Sequence, residues 1–294
     1  TVLGVPGLFM KAHAADAGVL YIIDSIGGTP ESVTEDCTDS AGGWSYDAGT
    51  ATLTLDGFQG EYIEANGDIN IVLKGKNKIT ISAESTEGIK STGKVTIDDT
   101  ISPVQDCLDI YCNDGTESVS MIYTGGFGAD YATYIVGGTV NLVEENTRRR
   151  YVTGISRWAY VENDASLNIN LSADGGRNGA AALLNLNTSG DTSFRVNSLS
   201  SSSYGVYSLD KKGSGDTALT AEGKAKNIGN KFTVGSTGNT GKITIKGYLT
   251  DFTPYRKKNR IVGVDNFLWS YFTENPQTGG LCRCVCDSLG VPMK

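Results

Sequence analysis

Short triplets of an apolar, a polar and another apolar residue recur along the chain at nearly constant spacing. They are Ile69-Asn70-Ile71, Val95-Thr96-Ile97, Val119-Ser120-Met121, Val140-Asn141-Leu142, Leu167-Asn168-Ile169, Phe194-Arg195-Val196, Leu219-Thr220-Ala221 and Ile243-Thr244-Ile245. Their first members are 26, 24, 21, 27, 27, 25 and 24 residues apart. Alternation of this kind belongs to a strand, whose successive side chains point to opposite faces. A strand signal with a repeat of this length predicts stacked coils rather than a closed globule. The expected fold is all-β, a single-stranded parallel β-helix (solenoid) of about eight coils with terminal caps. Regular short strands would also suit an antiparallel β-sandwich. The near-constant step favours the stack.

Within the stretch 59–250 the unit reads strand, turn, strand. Tyr62 to Ile71 shows it, Gly88 to Ile97 repeats it, and Tyr134 to Leu142 is a third copy one residue shorter. If every triplet occupies the same place in its coil, Ile69 lies over Val95 and then over Val140 and Leu167. Asn70, Thr96, Asn141, Asn168 and Thr244 then form polar ladders outside. Gly67, Gly93 and Gly138 fall at the corners, where a left-handed or bulged backbone excludes a Cβ. Residues 15–58 read as an aromatic-rich cap and first coil, needed because a bare terminal coil exposes core and strand edges. Residues 251–294 lose the repeat and read as a C-terminal cap or a non-repeating tail.

Composition agrees: Gly supplies 38 of 294 residues, Pro 6 and Met 3, and no helical apolar series is sustained. A net charge of −8 argues against a nucleic-acid partner, which requires a basic surface. Arg148-Arg149-Arg150, the one strong basic cluster, reads as a solvated turn, with Glu144 and Glu145 pairing with it at the surface. Ala12-His13-Ala14 before Ala15 follows an apolar run and fits the small-x-small rule for signal peptidase. Residues 1–14 are therefore expected to be the remnant of a secretory signal peptide, and the protein to be secreted or held at the cell surface. No later run is long and apolar enough for a membrane span.

The only histidine, His13, falls in that leader. Its loss removes Ser-His-Asp and Cys-His nucleophiles and His-ligated zinc. No Walker loop is present, and no cofactor or metal is expected. Asp98 and Asp99 read as turn formers, as do Asp106, Asp109 and Asp114. Of six cysteines, Cys107 and Cys112 are close enough to bridge one turn and are the candidate disulfide, whereas Cys37 has no evident partner. Cys282, Cys284 and Cys286 lack the paired knuckles of a zinc site.

Aromatic side chains remain as the candidate ligand contacts, because sugar rings stack on their faces beside polar ladders. The candidates are the pairs Trp44 and Tyr46, Trp158 and Tyr160, and Tyr204 and Tyr207.

Gly42-Gly43-Trp44-Ser45-Tyr46-Asp47, followed by Ala51 to Leu55 and Phe58, resembles an entry motif of secreted proteins from gut Gram-positive bacteria. Those proteins carry right-handed parallel β-helix repeats and are often labelled carbohydrate-binding. The resemblance covers residues 40–100 well and later coils only in pattern. It implies a right-handed helix and transfers no catalytic residue. The expected function is non-catalytic binding of polysaccharide or glycoprotein glycans, or of other host-surface ligands. Two alternatives suit the same features: a lyase or glycoside hydrolase acting on acidic polysaccharides, and a structural stalk of a larger surface protein.

Overall fold

In the computed structural model, described residues are 19–234 (apart from 84, 100–105, 114, 116, 150, 174–176 and 201), 241, 243–246, 267–274 and 281–286. The presumed leader, Asp114, Arg150 and most of 251–294 lie outside them. The described chain is all-β, with one short 3-10 turn at Ala129–Tyr131. No helix among these residues is long and apolar enough to cross a membrane.

Most strands pair in parallel with a strand one repeat later, and three such ladders run through the molecule. The first passes through Tyr62–Ala65, Glu87–Ser91 and Val119–Thr124. The second passes through Thr52–Asp56, Ile69–Lys74, Val95–Asp99 and Thr133–Ile135. From Tyr151–Asn163 onward these two ladders share single long strands, continued by Arg177–Thr188, Tyr204–Lys211 and Lys226–Val234. The third runs from Gln59–Gly60 through Lys76–Ile81, Cys107–Cys112, Thr139–Thr147, Ser166–Ala173, Thr192–Ser198 and Thr217–Gly223 to Ile243–Lys246 and Phe267–Glu274.

Each ladder aligns one aliphatic row on its inner side. Ile63, Ile89, Ile122 and Ile155 line up in the first; Leu53, Ile71, Ile97, Ile135, Val161 and Leu186 in the second; Ile79, Ile110, Leu142, Ile169, Phe194 and Leu219 in the third. All are essentially inaccessible and belong to one continuous core. No single repeat could bury its row alone, so neighbouring repeats supply the cover.

The triplets that define the repeat do not share one row. Ile69 lies beside Val95 as expected, but Val95 lies beside Thr133, not Val140. Val119 belongs to the first ladder, and the series from Val140 to Ile243 to the third. Strands on all three ladders carry the same alternation, so counting triplets stepped from one ladder to another. The short step of 21 residues marks such a change.

Antiparallel pieces cover the start. Leu20–Ile23 pairs with Tyr62–Ala65 and with Glu31–Val33, ending the first ladder. Cys37–Asp39 and Trp44–Asp47 zip antiparallel onto Thr52–Asp56, ending the second. At the far end Leu281–Cys286 pairs antiparallel with Phe267–Glu274. The corner glycines act in two ways. Gly67 takes φ +107, whereas a Cβ on Gly93 would lie 2.6 Å from the carbonyl carbon of Gly67 in the preceding repeat.

Several polar residues sit inside, contrary to expectation. Arg149 is fully buried rather than solvated. Its Nε donates to Asn113 O at 2.8 Å, Nη1 to Ser85 O at 3.2 Å and Nη2 to Ser82 O at 2.6 Å, tying the corner loops of three repeats together. Glu144 is also fully buried, aligned between Cys112 and Leu171 on the inner side of the third ladder, so it is no surface partner. Lys211 takes the place in the second ladder's row that Leu186 holds one repeat earlier, and donates to Gly213 O.

Cys107 and Cys112 form no disulfide. They are the two ends of one six-residue strand rather than the flanks of a turn. At ~3.3 Å per residue their backbones are some 16 Å apart, beyond the ~7 Å limit for a bridge. Cys37 is exposed and unbridged.

Replacing Arg149 with Met strands the carbonyls of Ser82, Ser85 and Asn113; urea unfolding should show a loss of about 3–5 kcal/mol. Burial holds the Lys211 ammonium down at about 8, against the partly offsetting pull of Asp216 and Asp191. Between pH 8 and about 10.5 the unfolded chain keeps the Lys211 proton that the native state has lost. Stability therefore rises with pH across that window by roughly 3 kcal/mol. Lys211→Met should remove that rise and be more stable than the wild type at pH 7, as measured by urea unfolding at a series of pH values.

Candidate functional site

The corner between the first and second ladders gathers aromatic side chains from two consecutive repeats. In early repeats this corner is tight, closed by Asn66-Gly67-Asp68 and then Thr92-Gly93-Lys94. In the next it widens into a loop from Gly125 to Ala132 before the strand Thr133–Ile135 resumes. One repeat later there is no loop, and Tyr151–Asn163 runs straight through with a bulge between Ile155 and Trp158. The loop thus stands out between two tighter neighbours.

Phe127 projects from it and is 80% exposed. On the side of the earlier repeats, Tyr131 and Asp130 close over Gly67, Asp68, Thr92, Gly93 and Lys94 to leave a cavity of about 430 Å³. Gly126 supports the Tyr131 ring from below; a Cβ there would lie 2.2 Å from Tyr131 Cγ. On the side of the later repeat, Arg157 places its guanidinium 3.9 Å from the Phe127 ring centroid and 6.0 Å from that of Tyr123. Bulges insert a residue and redirect side chains. Here the bulge puts Arg157 at φ +72, a left-handed conformation costing roughly 1–2 kcal/mol for a residue with a Cβ. Ser156 Oγ accepts the Thr124 N–H at 3.2 Å and fastens the bulge to the preceding repeat.

The second ladder continues the patch. Tyr134 and Tyr160 are paired in register and stack at 4.7 Å with planes 6° apart. Trp158 lies 6.3 Å from Tyr160, and Lys94 Nζ lies 5.8 Å from the Tyr134 centroid. Burial first, then the charge of Glu162, raises the Tyr160 phenol; Tyr134 is raised by burial, Tyr160, Glu162 and Asp130. Both therefore stay neutral near pH 7 and present O–H groups.

The structure thus brings Trp158 and Tyr160 together, half-buried, on a surface shared with residues the sequence did not single out: Tyr134, Tyr131, Phe127 and Arg157. Tyr134 could have been found, since it precedes Ile135 as Tyr160 precedes Val161. Phe127 carries no periodic signal. Tyr204 and Tyr207 also meet, at 5.6 Å, with Tyr207 43% exposed, but they lie on later repeats, with Tyr204 beside Gly179. Trp44 and Tyr46 share a face as expected, but it is the inner one. At 3% and 6% exposure they cap the core. Facing the apolar end of the second ladder, large rings cover more area than Leu or Ile would.

A polar ladder runs outside the third ladder. Ser193 Oγ donates to Asn168 Oδ1 at 2.7 Å, Asn168 Nδ2 to Asn141 Oδ1 at 2.9 Å, and Asn141 Nδ2 to Asp109 Oδ1 at 2.7 Å. It floors a groove of about 410 Å³ bordered by Tyr111 and Arg195, with Lys78 4.8 Å from the Tyr111 centroid. Its amides are largely spent on one another, which stiffens the face. Arg195 is engaged by Glu222 at 2.7 Å.

Carboxylates collect at the corner between the second and third ladders. Asp99 is raised by burial and then by Asp164, Asp98 and Asp106. Asp98, in the strand Val95–Asp99, accepts the Asp99 N–H, and Asp106 accepts the Gly75 N–H from the corner of the preceding repeat. Among the described residues no group of three His, Cys, Asp or Glu side chains is arranged to hold a metal.

Compared with known proteins, the chain matches no family model, no curated sequence and no solved structure.

A double-mutant cycle on Tyr134→Ala and Tyr160→Ala should give a coupling of about 0.5–1.5 kcal/mol, the worth of a stacked pair. A coupling near zero would mean that the rings are independently mobile.

Proposed function

We propose that the chain is a secreted or cell-surface, non-catalytic protein with a single-stranded right-handed parallel β-helix fold, which binds glycans through the aromatic corner patch. The fold reading is supported by the return of each strand beside its predecessor, and parallel crossovers within one sheet are right-handed almost without exception. The observation that carries the function is the group of rings at this corner: Phe127 and Tyr131 on the loop, and Tyr134 stacked on Tyr160 with Trp158 beside it. Phe127 is exposed far beyond what packing requires.

Sugar rings present C–H faces to aromatic rings and hydroxyls to their polar edges. Rungs of a parallel sheet are about 4.8 Å apart, so a glycan laid along the corner meets a fresh side chain at nearly every ring. A protein interior would not leave Phe127 in water, and an isolated exposed ring would need no explanation. A cluster of aromatic side chains built from two repeats does.

The alternative of hydrolysis or elimination on acidic polysaccharide draws on Asp99, whose raised carboxyl beside three others has the environment of a general acid. The backbone contacts of Asp98 and Asp106 favour a corner-forming role instead.

A screen of the purified protein against mucin-type, plant and bacterial polysaccharides should give binding that Phe127→Ala and Trp158→Ala each weaken about tenfold, or about 1.4 kcal/mol. Silence across the screen would count against glycan recognition. Release of reducing or unsaturated ends, abolished by Asp99→Asn, would establish the enzyme instead.

A further inference from the structure

We propose that Arg157 and Phe127 form the carboxylate-reading end of the corner patch and select glycans that carry uronic acid residues. The inference deepens the glycan-binding reading of the same surface and rests on it. Three observations converge on Arg157. Its guanidinium contacts two aromatic rings, and among the described residues no hydrogen bond or ion pair engages it. The planar fork therefore keeps its N–H donors for a partner, and a ring against one face holds the fork in a single orientation. The backbone that carries it sits at φ +72 inside a bulge fastened by Ser156 to Thr124. Strain of this kind persists where the surroundings over-determine it, and it gathers at binding sites.

Placement selects the occupant. The guanidinium lies over the exposed Phe127 ring, with Tyr123 as the second ring beside it, and Trp158 is the next residue along the strand. A pyranose resting on Phe127 would carry a ring carboxylate within reach of the fork, where paired N–H···O bonds suit a carboxylate better than a hydroxyl. A neutral sugar would use the rings and leave the fork unmatched. The acidic groups of the patch, Asp130 and Glu162, bear on Tyr134. The overall charge of −8 opposes a polyanion only at long range, screened beyond about 8 Å at physiological salt.

The test compares an oligogalacturonate with its carboxyl-reduced counterpart by calorimetry at physiological salt. The wild-type protein should bind the uronate at least tenfold more tightly. Arg157→Gln and Arg157→Gly should each bring uronate binding down to the level of the reduced sugar. Arg157→Gly should also melt no lower than the wild type, because glycine adopts the left-handed conformation without strain; retained stability separates loss of recognition from loss of fold. Equal binding of the two sugars, or full uronate binding by Arg157→Gln, would overturn the carboxylate role while leaving glycan recognition intact. Failure of both sugars, with every other glycan also silent, would overturn both readings. An acidic peptide that competes for the patch with equal affinity would overturn the sugar as the occupant.

Discussion

In-register parallel pairing between strands one repeat apart is the constraint on which everything else depends. It sets Ile71 beside Ile97 and Ile97 beside Ile135, and does the same along the other two ladders. Because side chains alternate, the pairing that buries the aliphatic rows also forces the intervening residues outward at fixed spacing. A slip of one residue would exchange the two sets. The outer surface is therefore a consequence of the core: Tyr134 stacks on Tyr160 because Ile135 packs beside Val161.

Repeats that must match inside are free to differ at corners. The loop from Gly125 to Ala132 inserts between a tight turn in one neighbouring repeat and an unbroken strand in the other without disturbing the rows on either side. The bulge at Arg157 adds one residue and returns to register by Trp158. The buried exceptions obey the same rule in reverse. Arg149 and Lys211 lie inside because backbone carbonyls meet them there, and Arg149 adds a polar clamp across three repeats that apolar packing alone would not provide. The proposed function takes the same form: a regular scaffold and one irregular corner that carries chemistry.

The alternation of apolar and polar residues made strands, repeat and parallel stacking legible, and it placed Asn141 and Asn168 in a polar ladder. It could not say which of three ladders a triplet belonged to, since all three obey one alternation. For that reason Val140 was expected beside Val95 and lies instead on another ladder. The same blindness affected the site. Trp44-x-Tyr46 and Trp158-x-Tyr160 are the same pattern, yet one pair faces the core and the other the surface. Parity along a strand shows that two residues share a face, and only the strand's partners show which face it is. Arg149 read as surface charge because a cluster of basic residues ordinarily is, and the carbonyls that receive it come from residues more than 30 positions away. Phe127 and Arg157 lie in a loop and a bulge, the places where periodic reasoning has least to say.

The direction of pairing is tested most directly by disulfide trapping across one rung, with the native cysteines replaced by alanine. Asn70 lies beside Thr96, and Val72 beside Asp98. Neighbouring Cα atoms in a sheet fall within the ~4.4–6.8 Å that a disulfide spans. Cysteines at positions 70 and 96, and separately at 72 and 98, should oxidise readily to intramolecular bridges seen by mass spectrometry. Bridging of 70 to 98 and of 72 to 96 in their place would mean antiparallel strands and would contradict the stacked fold.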